Sequence, residues 1–114
     1  MLHREALDEV VAEFGLDDAF DTADRDALTR AWHRLVPWPD TVPGLTRMKT
    51  RSVIAPHSNG HIALLLNMAR RAGLPWDLIL GSETARAYKP LPESYLRNVA
   101  AVGREIVHRV DKAL

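Results

Sequence analysis

The chain has 114 residues, 46% of them hydrophobic, which is the size and composition of one folded domain and argues against disorder throughout. Fifteen Lys and Arg balance fifteen Asp and Glu, so there is no net field to gather nucleic acid, an anionic membrane or an acidic partner. With no cysteine, the sequence excludes a disulfide framework, a thiolate zinc site and a cysteine nucleophile.

Met1 to Glu5 enters a charged amphipathic pattern at once, with no apolar signal core, and no later run approaches the length of a membrane span. A soluble cytoplasmic protein is the expectation. Leu2 already lies on an apolar stripe, an abrupt start that points to a part upstream. Leu2, Ala6, Leu7, Val10, Val11 and Phe14 recur at helical spacing, and Gly15 stands where such a helix would stop. Asp21 or Thr22 can cap a second helix through about Leu35, with Leu28, Ala31, Trp32 and Leu35 as its apolar face and Pro37 closing it. The short polar joint between the two predicts a helical hairpin over residues 1–36.

Pro37-Trp38-Pro39-Asp40 is held extended by its prolines and reads as the joint to a second region, residues 37–114. Pro43 then opens a short helix ending near Arg51, with Leu45 and Met48 facing inward. From Ser52 the pattern changes. Val53-Ile54-Ala55 predicts a short strand bounded by Pro56, Ser58-Asn59-Gly60 a turn, and His61 to Ala72 an apolar helix ended by Gly73 and Pro75. Leu78-Ile79-Leu80 predicts a second strand, and Lys89-Pro90-Leu91-Pro92 leads into a last helix opening at Pro92 or Glu93. Strand, helix and strand imply a parallel pair with a crossover, so the class is α/β.

In open parallel sheets ligands gather beyond the carboxyl ends of strands, where the turn places Ser58, Asn59 and Gly60. The helix after the turn directs N–H groups to the same place, which suits a carboxylate, a phosphate or a departing halide. Spacing alone favours the plainer reading that Ser58 or Asn59 caps that helix. Lys89 ends the irregular stretch after the second strand and projects over the same rim, though a lone lysine beside a proline is ordinarily a solvated one. His57 and His61 would be metal ligands only on one continuous helix, which Pro56 and the Ser-Asn-Gly turn oppose, so no metal is expected. Capping and solvation explain Asp17, Asp18, Asp21, Asp24 and Asp26 better than acid–base chemistry. Trp32, Trp38 and Trp76 are expected to pack in cores rather than line a pocket. No Gly-rich phosphate loop and no serine–histidine elbow occurs.

Trp32-His33-Arg34-Leu35, Pro37-Trp38-Pro39-Asp40, Val42-Pro43-Gly44-Leu45, Ser58-Asn59-Gly60, Ala72-Gly73-Leu74-Pro75-Trp76-Asp77 and Tyr88-Lys89-Pro90 follow one another in an order that resembles the haloacid dehalogenase-like hydrolases of type II, the 2-haloacid dehalogenases. The likeness runs from about Leu2 to Val102, as an internal piece of such a protein. It implies a partial Rossmann-like core with a remnant of a helical cap, the cap being the hairpin. It implies that the Ser58 hydroxyl binds the nucleophile or the substrate carboxylate, that Asn59 helps to receive the halide, and that Lys89 stabilises the nucleophile and the substrate anion. His57 stands where the family pattern leads one to expect an aliphatic residue.

The resemblance further implies hydrolytic dehalogenation through an aspartyl ester, without cofactor, on a small 2-haloacid or similar anion. The nucleophilic aspartate belongs to a strand-ending Asp-x-Asp-like segment, and none occurs here. The run from Arg104 to Leu114 does not resemble the family's acidic fourth segment and reads as an amphipathic helical end, so a truncation or an altered reading frame is an expectation. This chain alone is then inactive, and an open sheet edge invites self-association. Alternatives are a non-catalytic remnant or interaction module, or a piece of a magnesium-dependent phosphatase of the same superfamily. No nucleic-acid or membrane partner is expected.

Overall fold

The computed structural model describes residues 2–103, so the helical end expected from Arg104 to Leu114 lies outside the described residues. The chain divides into two compact units, Met1–Leu35 and Val36–Leu114.

In the first unit, α1 (Leu2–Glu13) is followed by α2 (Thr22–Ala31) and a single 3-10 turn, Trp32–Arg34. Gly15, at φ +64°, ends α1: its N–H reaches the Ala12 carbonyl at 3.1 Å while the Leu16 N–H reaches Val11 at 2.9 Å, two orphan carbonyls satisfied by one left-handed residue. Asp21 starts α2 through a capping box with Asp24, at 2.8 Å from the Asp24 N–H, and the Asp24 carboxylate accepts from the Asp21 N–H at 3.3 Å. The helices are then tied by charge. Arg25 bonds Asp8 at 3.1 Å and Asp17 at 3.0 Å, and Arg4 bonds Asp8 at 2.9 Å and also Asp26. Capping thus explains Asp21 and Asp24, whereas Asp17 and Asp26 are ion-pair partners rather than merely solvated. The apolar stripe is less covered than its periodicity predicts: Val11 is buried, but Phe14, Leu28, Trp32 and Leu35 are exposed. Trp32 stacks on His3 with ring centroids 4.8 Å apart and does not enter a core. Trp38, in the second unit, is 81% exposed. Proline on either side holds Trp38 in an extended connector that offers it no helix face to pack with.

The second unit is a helix-dominated α/β arrangement around a small parallel sheet. Its elements are α3 (Thr41–Lys49), β1 (His57–Ser58), α4 (Ile62–Ala72), β2 (Leu80–Gly81), α5 (Ser82–Ala85) and α6 (Pro92–Val102). The strands pair in parallel with His57 opposite Leu80 and Ser58 opposite Gly81, and α4 is the crossover between them. Leu64 and Ala69 of α4 are buried with Leu65 and Met68 half-buried beside them on one helical face, and Ile54 and Ala85 are buried as well. Gly73, at φ +67°, closes α4.

Three expectations are corrected here. The strand expected at Val53-Ile54-Ala55 is extended but unpaired as a strand, and pairing begins two residues beyond Ala55. The reason is local: the Ile54 N–H donates to the Asp77 carboxylate at 2.9 Å and the Ile54 carbonyl accepts from the Asp77 N–H at 2.9 Å, while Pro56 has no N–H to give and offers only its carbonyl to Leu80. The second strand accordingly keeps only Leu80 of the expected Leu78-Ile79-Leu80 and adds Gly81. The short helix expected from Pro43 begins two residues earlier, at Thr41, because the missing N–H of proline is harmless in a first turn, and Met48 on it is exposed rather than inward.

Lys49, at the end of α3, completes the Asp77 knot with bonds of 2.6 Å to its carboxylate and 3.1 Å to the Pro75 carbonyl. The Ile54 N–H, with the Lys49 ammonium beside it, holds the Asp77 carboxyl below its ordinary range, and Arg25 with Arg4 does the same for Asp8. Groups depressed on folding contribute stability that is complete above their unfolded value of about 3.9 and is lost as pH falls through the folded one. The stability difference between the wild type and Asp77→Asn is therefore expected to be present at pH 6 and to vanish towards pH 2. Circular-dichroism melts across that range measure it, and a pH-independent difference would remove the carboxylate's charge from the explanation.

Candidate active site

The site grows from the carboxyl ends of the two strands. Ser58 ends β1, half-buried, and its Oγ accepts from the Gly60 N–H at 3.0 Å, which folds Ser58-Asn59-Gly60 into a tight turn. Gly81 ends β2 directly opposite. A Cβ on Gly81 would stand 2.5 Å from the Ser58 carbonyl oxygen and 3.3 Å from that of Gly60, so glycine is what permits the two strand ends to close on each other.

Asn59 joins this end of the sheet to the loop before α6. Its Oδ1 accepts from the Lys89 N–H at 2.8 Å, its Nδ2 donates to the Lys89 carbonyl at 3.3 Å, and its own carbonyl accepts from the Ser82 hydroxyl at 3.0 Å. Ser58, Asn59 and Lys89 are thereby assembled at one rim, with contact between the turn and Lys89 made through the Lys89 backbone. Neither Ser58 nor Asn59 caps α4. The carboxylate of Glu83 takes the Ile62 N–H at 2.7 Å, so one of the helix N-terminal donors that the sequence offers to an external anion is already occupied by the chain's own.

Beneath the rim, polar side chains of α6 turn inward. Ser94 is fully buried and its Oγ lies 2.9 Å from His57 Nε2, while Tyr95 meets the His57 ring edge-on at 4.7 Å. Asn98, 4% exposed, donates to the Gly81 carbonyl at 3.2 Å, and its Oδ1 has no partner. Leu96 and Val99 of α6 are exposed. His57 is thus a strut between β1 and α6. Among the described residues no three His, Asp or Glu are grouped to hold a metal ion.

No protein-family model matches the chain, and no curated protein does. Solved structures do. A defluorinating L-2-haloacid dehalogenase, Rha0230, is 53% identical with a TM-score of 0.83, the match covering 90% of this chain and 42% of that one. A second L-2-haloacid dehalogenase, PA0810, is 44% identical with a TM-score of 0.82 and coverage of 89% and 44%. Over the matched residues the chain is of the 2-haloacid dehalogenase type. It spans less than half the length of those two enzymes, and its α/β architecture is a partial haloacid dehalogenase-like fold.

Within that dehalogenase-like fold several residues hold the rim that sequence reasoning did not single out: Gly81, Ser82, Glu83, Ser94 and Asn98. The signal for Gly81 was present, since a glycine that ends an apolar run marks close backbone approach. Ser94 and Asn98 carried none, because a polar pair four apart on a helix reads as its solvated face. The one Asp-x-Asp in the sequence, Asp24-Arg25-Asp26, lies in α2, where Asp24 belongs to the capping box and Asp26 pairs with Arg4.

Proposed function

We propose that the chain supplies the anion-binding and charge-stabilising part of a hydrolytic 2-haloacid dehalogenase. The observation that carries the proposal is the pairing of Asn59 with Lys89, which brings the Ser-Asn-Gly turn and the Lys-Pro segment to one strand-end rim in a chain 53% identical to an L-2-haloacid dehalogenase. At such a rim Lys89 offers a full positive charge, and Ser58 a hydroxyl, to the carboxylate of a 2-haloacid. Asn59 presents its remaining amide N–H to the leaving halide. In the reaction assigned, an aspartate carboxylate displaces the halide from the 2-carbon and forms an ester, and water then cleaves that ester to release the 2-hydroxyacid. Among the described residues, Asp77 is bound to Ile54 and Lys49, and the Asp-x-Asp pair Asp24 and Asp26 is engaged in the α2 capping box and with Arg4. The reading is therefore of a binding half that is inactive alone.

Titration of the labelled chain with L-2-chloropropionate, followed at the Ser58 amide and the Lys89 side chain by NMR, tests this. Saturable binding is expected, weakened about tenfold or more in Lys89→Ala, the effect of losing one charge-assisted contact. Shifts that never saturate, or that are equal in the variant, would contradict it.

A further inference from the structure

We infer that Asn59 is a positioning residue for Lys89, setting the register of that lysine against Ser58 through a two-bond pairing of its side-chain amide with the Lys89 peptide group. The inference deepens the proposed function and rests on it for the meaning of Lys89, although the pairing itself does not. A planar amide that accepts from one backbone N–H and donates to the same residue's carbonyl reproduces half of a strand pair, and it fixes both the height and the rotation of the Lys89 Cα. The bonds are 2.8 Å and 3.3 Å. The amide's orientation is determined, because only the oxygen can accept from the Lys89 N–H.

Asn59 is itself anchored. Its carbonyl receives the hydroxyl of buried Ser82 at 3.0 Å, and it follows directly on Ser58, whose carbonyl lies against Gly81. The segment from Tyr88 to Leu91 is irregular, with a Leu91 N–H bond of 3.0 Å to the Tyr88 carbonyl and a Ser94 N–H bond of 3.0 Å to the Leu91 carbonyl. One of the two amide N–H donors and one of the two oxygen lone pairs are thus spent on Lys89, and one N–H is left for an anion. Position 59 therefore acts on an anion largely through where it holds the lysine.

Amide hydrogen exchange and L-2-chloropropionate titration of the full chain, in wild type, Asn59→Ala, Asn59→Asp and Ser58→Ala, separate the possibilities. In Asn59→Ala the Lys89 amide is expected to exchange about tenfold faster while amides of α4 and α6 keep their rates, because only a local opening is eased. Asn59→Asp keeps the acceptor for the Lys89 N–H and is expected to restore most of that protection while losing the bond to the Lys89 carbonyl. Ser58→Ala loses the turn's bond to the Gly60 N–H but keeps the Asn59 amide, and is expected to accelerate Lys89 exchange less than Asn59→Ala does. Unchanged Lys89 exchange in Asn59→Ala overturns the inference, as does acceleration spread equally over α4 and α6, which would make the role one of general stability. If wild type shows the local clamp but never binds L-2-chloropropionate, the positioning stands and the proposed function fails.

Discussion

Incubated with L-2-chloropropionate, the purified chain is expected to release no halide above the level of a Lys89→Ala control. Binding groups at a strand-end rim lower the energy of charge that develops during reaction, but they do not form the bond to carbon. In covalent hydrolases, removal of the nucleophile costs on the order of a million-fold in turnover, with what remains arising from binding and charge stabilisation. Under the proposed function, Ser58, Asn59 and Lys89 belong to that second sort. The Asp-x-Asp of this sequence is in a helix cap and an ion pair, and Asp77 is held by the Ile54 N–H and Lys49 with its carboxyl depressed, a settled structural anion rather than an attacking one. Halide measured by ion chromatography over long incubation decides the matter, and wild-type release clearly above the control would mean that another group attacks.

Gly81→Ala should be the most damaging single methyl in the second unit. The added carbon would meet two backbone carbonyls, at 2.5 Å from Ser58 and 3.3 Å from Gly60, and neither can swing aside as a side chain would. The backbone at Gly81 is extended, so the penalty is one of space and not of conformation. Overpacking of this kind costs roughly 1–3 kcal/mol, enough to lower the melting temperature by about 5–15 °C in a domain of this size. Because β1 and β2 touch through only two residue pairs, relief by separation of the strands would also shift the Ser58 turn. Gly44→Ala is the control: nothing lies within 4 Å of its Cβ position in α3, and alanine in a helix is neutral to favourable. Melts of the two variants give the result, and equal melting temperatures would show that the strand ends are not closed as described.

The helices were largely legible. Asp21 as cap, Gly15 and Gly73 as stops and Pro92 as a first helical residue act within a few residues of themselves, and each stands where chain-local rules put it. The strands were displaced because their pairing depends on Asp77, more than twenty residues from Ile54, and no period in the sequence announces a carboxylate that substitutes for a strand neighbour. The tryptophans misled for a related reason: an aromatic side chain at a regular position predicts burial only if an element arrives to cover it, and Trp32 and Trp38 are both exposed. For the site, the sequence order brought Ser58, Asn59 and Lys89 into view through resemblance. Their being joined by the Asn59 amide, and the helix donor at Ile62 being occupied by Glu83, depend on contacts between residues 21 to 30 apart that no local pattern announces.

The central claim is that this sequence can build the anion-binding part of a 2-haloacid dehalogenase. Replacing the matched segment of Rha0230 with the corresponding residues of this chain tests it most directly, with halide release from a 2-haloacid as the readout. The prediction is a folded chimera that turns over, and that loses about a hundredfold or more of its turnover on Lys89→Ala, as loss of a charge-stabilising group at a reacting centre does. A chimera that folds with a sharp melt yet releases no halide, or one indifferent to Lys89, would contradict it.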